Sequence, residues 1–298
     1  MPTPTASLTT AIPLRDALRS AAERLASVGV PDAQVDAELL LAHLRGTSRG
    51  EVQAAGIRGD ILEIPQAEAF GRLVARRATR EPLQHITGIA AFRGLELAVG
   101  PGVFVPRPET ETVAGLAVEA LRAAAEPEPI AVDLCTGSGA IALSLATEVP
   151  HAAVHAVEMS VDAYMWAKEN VSRTGAQNVS LVLGDAGEAA TLAELAGRAA
   201  VIATNPPYVP DDAVPRDDEV RLHDPHQALY GGQDGLDVVR RISTAAMALA
   251  RTGGTIVIEH GEWQGEPVRA VLAADGWLTA ATHQDLTGRD RATTAVRP

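Results

Sequence analysis

The chain has 298 residues and a formal net charge of −13, with 46% hydrophobic and 21% charged residues, as is ordinary for a globular protein. Such a length allows two domains with a well-buried core. The acidic balance, without any block of basic residues, argues against non-specific binding to duplex nucleic acid, because that binding depends on clustered Lys and Arg.

The number of cysteines and the length of the apolar runs indicate the cellular compartment in which the protein is expected. Cys135 is the only cysteine, so no disulfide can form within the chain, and we expect a reducing cytoplasm. Residues 1–11 are polar and lack a basic region followed by an apolar one, so we expect no signal peptide. No uninterrupted apolar run reaches about 18 residues, so we expect no membrane span.

The N-terminal part of the chain has helical patterns only. Apolar residues recur at helical spacing over 14–28, and Gly29 stands where a helix would end. A second helical pattern follows Asp32, and a third runs from about residue 66 to 80. No strand pattern interrupts them. We therefore predict a small helical domain over residues 1–80.

Residues 81–108 change character, because prolines and glycines divide them into short extended pieces. Phe92–Val99 and Val103–Val105 are expected to pair as a hairpin. We predict that this stretch is a linker with a β-hairpin between two domains.

From residue 109 onward, short apolar runs alternate with helical patterns. The predicted strands are 130–134, 153–157, 179–183, 199–203 and 255–259, with two weaker strands at the end. Such alternation predicts a mostly parallel sheet with helices on both faces. The fold class is therefore α/β, and residues 109–298 form the second predicted domain.

A glycine loop lies between the first strand and its helix. Gly137 and Gly139 allow a tight turn and close approach to a ligand, and the free N–H groups of the next helix favour a carboxylate or a phosphate. Glu158 ends the second strand about twenty residues later, where an acid can bind ribose hydroxyls. The spacing from Gly137 to Ala142 also fits a dinucleotide fingerprint. A nicotinamide dehydrogenase and a purely structural turn are therefore alternatives.

Two further strands end in polar residues. Asp185 follows the third strand, where an acid suits the exocyclic amine of an adenine, although a solvated turn residue explains it equally well. The fourth strand is followed by Asn205-Pro206-Pro207-Tyr208, and the prolines end it because they lack N–H donors and fix φ. The Asn205 amide and a free backbone carbonyl then form a two-acceptor clamp for a planar NH2 group. The alternative is that the proline-rich segment only leads the chain from the strand into a loop and has no further role. Ligands bind at this edge of such sheets.

Taken together, these motifs resemble those of class I S-adenosylmethionine-dependent methyltransferases that modify planar nitrogens. Within that class, the chain is similar over nearly its whole length to the HemK/PrmC family of peptide chain release factor glutamine methyltransferases. The further matching segments are Asp36–His43, Glu81–Gly88, Pro106–Glu111, Glu219–Arg221, Ala228–Leu236, Asp285 and Arg289–Arg291. The resemblance implies a Rossmann-like sheet of seven strands with an antiparallel last hairpin.

The resemblance also implies the roles of individual residues. The catalytic residues are expected to be Asn205, Pro206 and Tyr208. The substrate-binding residues are expected to be Asn205, Pro206, Pro207, Tyr208, Arg107 and Glu111. The cofactor-binding residues are expected to be Asp133, Cys135, Thr136, Gly137, Ser138, Gly139, Glu158, Asp185, Ala186 and Asn205. No metal site is expected, and we interpret His223 and His226 as residues of a solvent loop.

Some residues depart from the family pattern. Cys135 stands where Gly is usual, Glu158 where Asp is usual and Phe104 where Leu is commoner. We expect Cys135 to narrow the cofactor loop slightly and Glu158 to reach further toward the ribose, with the chemistry unchanged. Gly231-Gly232-Gln233 coincides with the tripeptide that the family methylates, and we interpret it as a turn of the enzyme's own fold.

The resemblance implies transfer of a methyl group from S-adenosylmethionine to the glutamine of the Gly-Gly-Gln motif of class I release factors. The products are N5-methylglutamine and S-adenosylhomocysteine. The helical domain would recognise the release factor by shape and apolar contact. We expect a bacterial, cytoplasmic monomer that binds neither nucleic acid nor membrane.

Three alternatives remain beside the dehydrogenase. An N6-adenine DNA methyltransferase acts on the same planar NH2, but the acidity and the missing basic target-recognition region weigh against it. A ribosomal-protein glutamine methyltransferase is closer in chemistry, and Pro108–Glu111 favours the release factor type. A catalytically inactive binding module is the non-enzyme alternative, disfavoured because every clamp residue is present.

Overall fold

The structure, a computed structural model, describes residues 11–298. Residues 1–10, on which most of the signal-peptide expectation falls, lie outside the described part. The chain forms two compact units, one of the residues up to Gly88 together with Arg216–His223, the other of Ile89–Pro215 and Asp224–Pro298. Gly88 lies inside the predicted linker, and the predicted domain boundaries stay a prediction.

The described residues form helices and strands in the following order. The α-helices are α1 (Leu14–Ser27), α2 (Ala33–Arg45), α3 (Arg49–Arg58), α4 (Ile64–Arg77), α5 (Leu83–Thr87), α6 (Thr110–Arg122), α7 (Ala140–Glu148), α8 (Val161–Thr174), α9 (Asp218–His223), α10 (His226–Leu229), α11 (Asp237–Leu249) and α12 (Gly265–Ala274). A 3-10 helix covers Ala189–Leu195. The strands are β1 (Ile12–Pro13), β2 (Ile61–Leu62), β3 (Ile89–Phe92), β4 (Leu95–Ala98), β5 (Ile130–Leu134), β6 (Ala153–Glu158), β7 (Val179–Leu183), β8 (Ala199–Thr204), β9 (Ala250–Glu259), β10 (Leu278–Gln284) and β11 (Asp290–Val296). No helix among them has the length and apolar character that a membrane crossing needs.

Residues 14–80, predicted to be helical, contain the four helices α1–α4, where the sequence pattern distinguished three, together with the short strand β2. α3 is capped by Ser48, whose side chain accepts the Glu51 N–H while the Glu51 carboxylate accepts the Ser48 N–H. This reciprocal cap satisfies two helix-end donors and explains a helix that lacks a strong apolar stripe. Leu14, Leu25 and Leu40 are fully buried in the shared core of the unit.

A cluster of ion pairs holds α9 to α4 and its C-terminal turn within the first unit. The Arg77 guanidinium lies 2.7 Å from Asp36 and 2.8 Å from Glu219, and Arg80 donates two hydrogen bonds to the same Glu219 carboxylate. Burial raises the pKa of Glu219, but the hydrogen bonds from Arg80 and Arg77 outweigh it and lower this pKa to about 2. α9 is therefore bound to the unit chiefly through one carboxylate.

We expect Glu219→Gln to destabilise the first unit by about 3 kcal/mol at neutral pH, because it removes one member of a largely buried ion cluster. The folded pKa of Glu219, about 2, lies below its ordinary value of 4.5. The ion pairs therefore stabilise above pH 4.5 and are lost as the pH falls toward 2. Thermal unfolding followed by circular dichroism at pH 7 and about pH 3 should show the difference between parent and variant shrinking in acid.

Glu23→Gln is the matched control for this prediction. Glu23 pairs with Arg19 at 4.0 Å on a surface where both side chains are about 70% exposed. An exposed pair of this kind contributes less than about 1 kcal/mol. Equal stability of the Glu219→Gln and Glu23→Gln variants at neutral pH would contradict the anchoring role of Glu219.

The second unit contains a seven-stranded sheet in the order β10-β11-β9-β8-β5-β6-β7. Its five strands from β9 to β7 are parallel, and β11 is antiparallel to both β9 and β10. The α/β prediction, with a mostly parallel sheet and an antiparallel last hairpin, is confirmed. Along β5, Ala131 packs into one core cluster and Val132 and Leu134 into the other, so helices cover both faces.

The predicted hairpin exists, but its predicted strand pairing is wrong. β3 pairs with β4, with Ile89 opposite Ala98 and Phe92 opposite Leu95. Arg93 and Gly94 form the two-residue turn, with φ of 45° and 78°. Two residues with positive φ match the twist of a tight hairpin. Val103–Val105, expected as the second strand, instead places its two valines in a small cluster with Val99.

Candidate active site

The parallel strands β5, β6, β7 and β8 bring the predicted motifs to one edge of the sheet. The glycine loop follows β5, Glu158 is the last residue of β6, Asp185 follows β7 and Asn205 follows β8. β5 lies between β8 and β6, so the order of strands juxtaposes the clamp and the glycine loop. The edge combines carboxylates, free backbone N–H groups and an amide within one short stretch of sheet.

The glycine loop is shaped by positive φ angles. Gly137 and Gly139 have φ of 58° and 87°, and α7 begins directly after them. A Cβ atom built on Gly137 would meet nothing within 4 Å, so the space beside this residue is open. The loop therefore presents backbone N–H groups and the start of a helix to an approaching ligand.

Asp133 lies fully buried beneath the glycine loop. Its Oδ2 accepts hydrogen bonds from the Thr136 hydroxyl at 2.5 Å and from the Ala142 N–H at 3.0 Å. Its Oδ1 has no partner among residues 11–298. Burial raises the pKa of Asp133 to about 7. Asp133 thus holds both ends of the loop and keeps one buried acceptor free.

Glu158 binds the loop from the neighbouring strand. Its Oε2 accepts the Gly137 N–H and its Oε1 accepts the Ser160 N–H, each at 2.8 Å. Its predicted contact with ribose hydroxyls stays a prediction, and each carboxylate oxygen retains capacity for a second hydrogen bond.

Cys135 takes the backbone conformation that glycine favours. Its φ is 64°, in the left-handed region where a Cβ atom is strained. Burial raises the pKa of its thiol, and the Glu158 carboxylate acts in the same direction. The positive φ explains why glycine is usual at this position in the family.

Asp185 is paired in a way that the sequence did not predict. Its Oδ1 accepts the Gly187 N–H at 2.8 Å, and its Oδ2 lies 2.7 Å from the guanidinium of Arg241 on α11. The hydrogen bond from Arg241 lowers the pKa of Asp185, which favours an ionised acceptor. Ala186, the next residue, is buried. The predicted contact of Asp185 with adenine and the predicted contact of Ala186 with the cofactor stay predictions.

The clamp at the end of β8 presents two free acceptors. The Asn205 Nδ2 donates to the Thr110 hydroxyl at 3.3 Å. Within residues 11–298, neither the Asn205 Oδ1 nor the Pro206 carbonyl accepts a hydrogen bond. Pro206 is buried and Asn205 is partly exposed. An amide oxygen and a rigid carbonyl, adjacent in the chain and both unpaired, are suited to two N–H groups of one ligand.

The backbone behind the clamp is held by Gln264, the residue before α12, and by the glycines of the loop after α10. The Gln264 Nε2 donates to the Tyr208 carbonyl at 3.0 Å. A Cβ atom on Gly231 would lie 2.5 Å from the Pro207 carbonyl, and one on Gly235 would overlap the Tyr208 carbonyl. These close approaches require glycine and give Gly231-Gly232-Gln233 a structural role in this fold.

Arg107 and Glu111, predicted to bind substrate, both have partners within the second unit. Arg107 donates to the Asp224 carboxylate at 2.9 Å, and its guanidinium lies 5.0 Å from the Phe104 ring centre. Glu111 accepts the Arg93 N–H at 3.1 Å and so supports the turn of the β3–β4 hairpin. Their roles toward substrate stay predictions.

The described residues include no group of three His, Cys, Asp or Glu side chains arranged to hold a metal ion. His226 stacks on Tyr230, with ring centres 4.2 Å apart.

Sequence reasoning missed Thr110 and Glu259 as site residues. Thr110 begins α6 and bonds to Asn205, and Glu259 accepts the Tyr208 hydroxyl at 3.4 Å. A signal for both existed in the sequence. Thr110 lies in the segment Pro106–Glu111, and Glu259 ends a predicted strand at the binding edge.

Comparisons with known proteins identify the family of this chain. A model of the PrmC N-terminal domain matches residues 16–88, and one of the methyltransferase small domain matches residues 94–220. The chain is 48% identical over 283 residues to the release factor glutamine methyltransferase of Streptomyces coelicolor, covering 92% of this chain and 95% of that protein. The chain belongs to the release factor glutamine methyltransferase family. It is also 44% identical over 291 residues to that enzyme of Bifidobacterium longum, covering 95% and 99% of the two chains.

A solved structure with a similar fold supports the fold class. The Thermus thermophilus 16S rRNA N2 G1207 methyltransferase aligns with a TM-score of 0.51 and 18% identity, covering 70% of this chain and 50% of that one. At this identity the likeness concerns the fold alone. Membership of the HemK/PrmC family is confirmed by the relatives, and with it S-adenosylmethionine-dependent methyl transfer. The dehydrogenase alternative has no support.

We expect Cys135→Gly to raise the free energy of unfolding by about 1 kcal/mol, because glycine adopts positive φ without a Cβ clash. Cys135→Ala is the control, since it removes the thiol but keeps the Cβ atom and hence the strain. Urea unfolding of the three proteins measures the difference. An alanine variant as stable as the glycine variant would show that the thiol, and not the backbone, is responsible.

Proposed function

We propose that this chain methylates the side-chain amide nitrogen of the glutamine in the Gly-Gly-Gln motif of class I peptide chain release factors, giving N5-methylglutamine. The observation that carries the proposal is the pair of unpaired acceptors after β8, the Asn205 Oδ1 and the Pro206 carbonyl. A primary amide offers two N–H groups in one plane to such a pair. The names of the relatives support a release factor as the substrate.

The residues at the sheet edge fit S-adenosylmethionine. The loop at Gly137 faces open space, and the start of α7 favours the carboxylate of the methionine part. Glu158 and Asp185 are carboxylates that can accept further hydrogen bonds, from the ribose and from the adenine amine respectively. When bound, S-adenosylmethionine supplies an electrophilic methyl group on a sulfonium.

The clamp activates the amide by geometry. An amide nitrogen is a poor nucleophile because its lone pair is delocalised. One N–H then donates to the Asn205 Oδ1 and the other to the Pro206 carbonyl, so the face of the nitrogen is turned toward the methyl donor. Such orientation can lower the activation barrier by several kcal/mol. As positive charge develops on the nitrogen, its N–H groups become stronger donors, and one proton leaves the nitrogen after the methyl group has been transferred from the sulfonium. The two acceptors therefore bind the transition state more tightly than the ground state.

The aromatic and proline side chains complete the slot. Pro207 and Tyr208 shape its wall and exclude water, which strengthens both hydrogen bonds of the clamp. The Tyr208 hydroxyl is engaged with Glu259, and burial raises the pKa of this phenol. Tyr208 is therefore a neutral wall residue and not a proton acceptor at neutral pH.

The helical unit is proposed to recognise the release factor away from its Gly-Gly-Gln loop, which offers little side-chain information. With a net charge of −13, the chain has no positive field for capture, so shape and apolar contact would dominate. We further propose a cytoplasmic monomer that binds neither nucleic acid nor membrane.

Asn205→Ala is expected to lower methyl transfer by about 100-fold or more, the cost of removing one hydrogen-bond partner of a developing charge. The affinity for S-adenosylhomocysteine, measured by calorimetry, should fall far less than the rate of methyl transfer, because Asn205 is only one of the expected cofactor-binding residues. Mass spectrometry of a purified release factor after incubation with enzyme and S-adenosylmethionine measures the gain of one methyl on the glutamine.

The substrate itself provides the control for this experiment. A release factor carrying Ala in place of the glutamine of its Gly-Gly-Gln motif should gain no methyl group. Full activity of the Asn205→Ala variant would contradict the clamp. Methylation of an adenine-containing oligonucleotide, with none of a release factor or of a ribosomal protein, would replace the proposed substrate by DNA.

A further inference from the structure

We infer that Thr110 and Glu259 are positioning residues that hold the Asn205 amide with its oxygen, and not its nitrogen, facing the substrate. This inference rests on the proposed function and deepens it. An Asn side chain has a similar shape in both amide orientations, but only one of them offers an acceptor to an N–H group. Something must therefore select the orientation before the substrate arrives.

Thr110 makes the contact that selects it. The Asn205 Nδ2 donates to the Thr110 Oγ1 at 3.3 Å, and Thr110 is buried as the first residue of α6. A hydroxyl can both accept and donate a hydrogen bond, so it accepts from Asn205 only while its own hydrogen is directed elsewhere. If that hydrogen turned to Asn205, the amide would be stabilised with its oxygen toward Thr110.

The acceptor that the inference requires for the Thr110 hydrogen is the Glu259 carboxylate. This carboxyl is 1% exposed at the end of β9, its Oε1 accepts from the Tyr208 hydroxyl at 3.4 Å, and hydrogen bonding with Thr110 lowers its pKa. Its Oε2 has no partner among the described residues that meets hydrogen-bond geometry, so the carboxylate retains free acceptor capacity. An ionised carboxylate can only accept. It therefore draws the hydroxyls of Thr110 and Tyr208 toward itself and leaves the Thr110 oxygen free to accept from Asn205.

The surroundings of Glu259 make this arrangement dependent on pH. Burial raises the pKa of Glu259 to about 7, helped by the Glu109 carboxylate, while Thr110, Arg291 and Tyr208 lower it. Above this pKa, Glu259 is an acceptor and the clamp is oriented. Below it, the carboxyl carries a proton that it can donate to Thr110, which reverses the direction of the hydrogen bonds. The turnover number should therefore rise with pH through about 7.

The test compares Thr110→Val with Thr112→Val. Valine matches threonine in shape but has no hydroxyl, and Thr112 lies in the same helix without a side-chain hydrogen bond among the described residues. We expect Thr110→Val to lower kcat for release factor methylation by about 10- to 100-fold, the cost of a misplaced reacting group. The KM for the release factor should change little, because the orientation matters most in the transition state. Thr110→Ser, which keeps the hydroxyl, should restore most of the activity.

Glu259→Gln is a second variant, with the pH profile as its readout. The parent should lose kcat as the pH falls below about 7, and Glu259→Gln should show a lowered kcat without that limb. A kcat for Thr110→Val equal to that of Thr112→Val would overturn the inference, as would an unchanged acidic limb in Glu259→Gln. Failure of the proposed function looks different, because the parent enzyme would then not methylate the release factor, and failure of the clamp would leave Asn205→Ala active. An inactive Asn205→Ala beside a fully active Thr110→Val would reject the positioning role alone.

Discussion

The structure of the site depends on the way β8 ends. Pro206 and Pro207 cannot donate to a strand ladder, so the chain leaves the sheet directly after Thr204 and the next carbonyls lose their ladder partners. Unpaired backbone acceptors are costly when buried, and a protein keeps them only where surrounding contacts hold them in place. Here Gln264 and the glycines of 231–235 hold the backbone from behind, which leaves the Pro206 carbonyl rigid and free.

Carboxylates at the sheet edge are the second feature on which the site depends. Glu158, Asp133 and Asp185 each accept a backbone N–H from the neighbouring loops or from the start of α7, so these carboxylates shape the loops at the sheet edge. Asp133 and Glu259 are also buried deeply enough that burial raises the pKa of each to about 7. Both have one oxygen without a partner among the described residues. A buried polar group without a partner lowers the stability of a fold. The position of these two carboxyls beside the glycine loop and the clamp therefore indicates a functional role.

Within the helical unit, an ion cluster performs the anchoring that apolar packing performs elsewhere. α9 contains no buried residue, and its Glu219 meets two arginines of the unit. The short helix lacks the length for stability on its own. Its placement therefore depends on charge.

Local sequence signals determined the strand and helix alternation, the glycine loop, the clamp and the family, because each depends on residue types at fixed spacing. The pairing of strands and the hydrogen bonds that hold the site residues depended on contacts between distant parts of the chain. The Arg93-Gly94 turn, with positive φ at both residues, decided the register of β3 and β4, which the sequence pattern misassigned. Likewise, the order of strands brought Thr110, Asn205 and Glu259 together from positions up to 149 residues apart, and α11 brought Arg241 to Asp185. Hydrogen bonds and ion pairs between remote residues leave no periodic trace in a sequence, so only the tertiary structure could decide them.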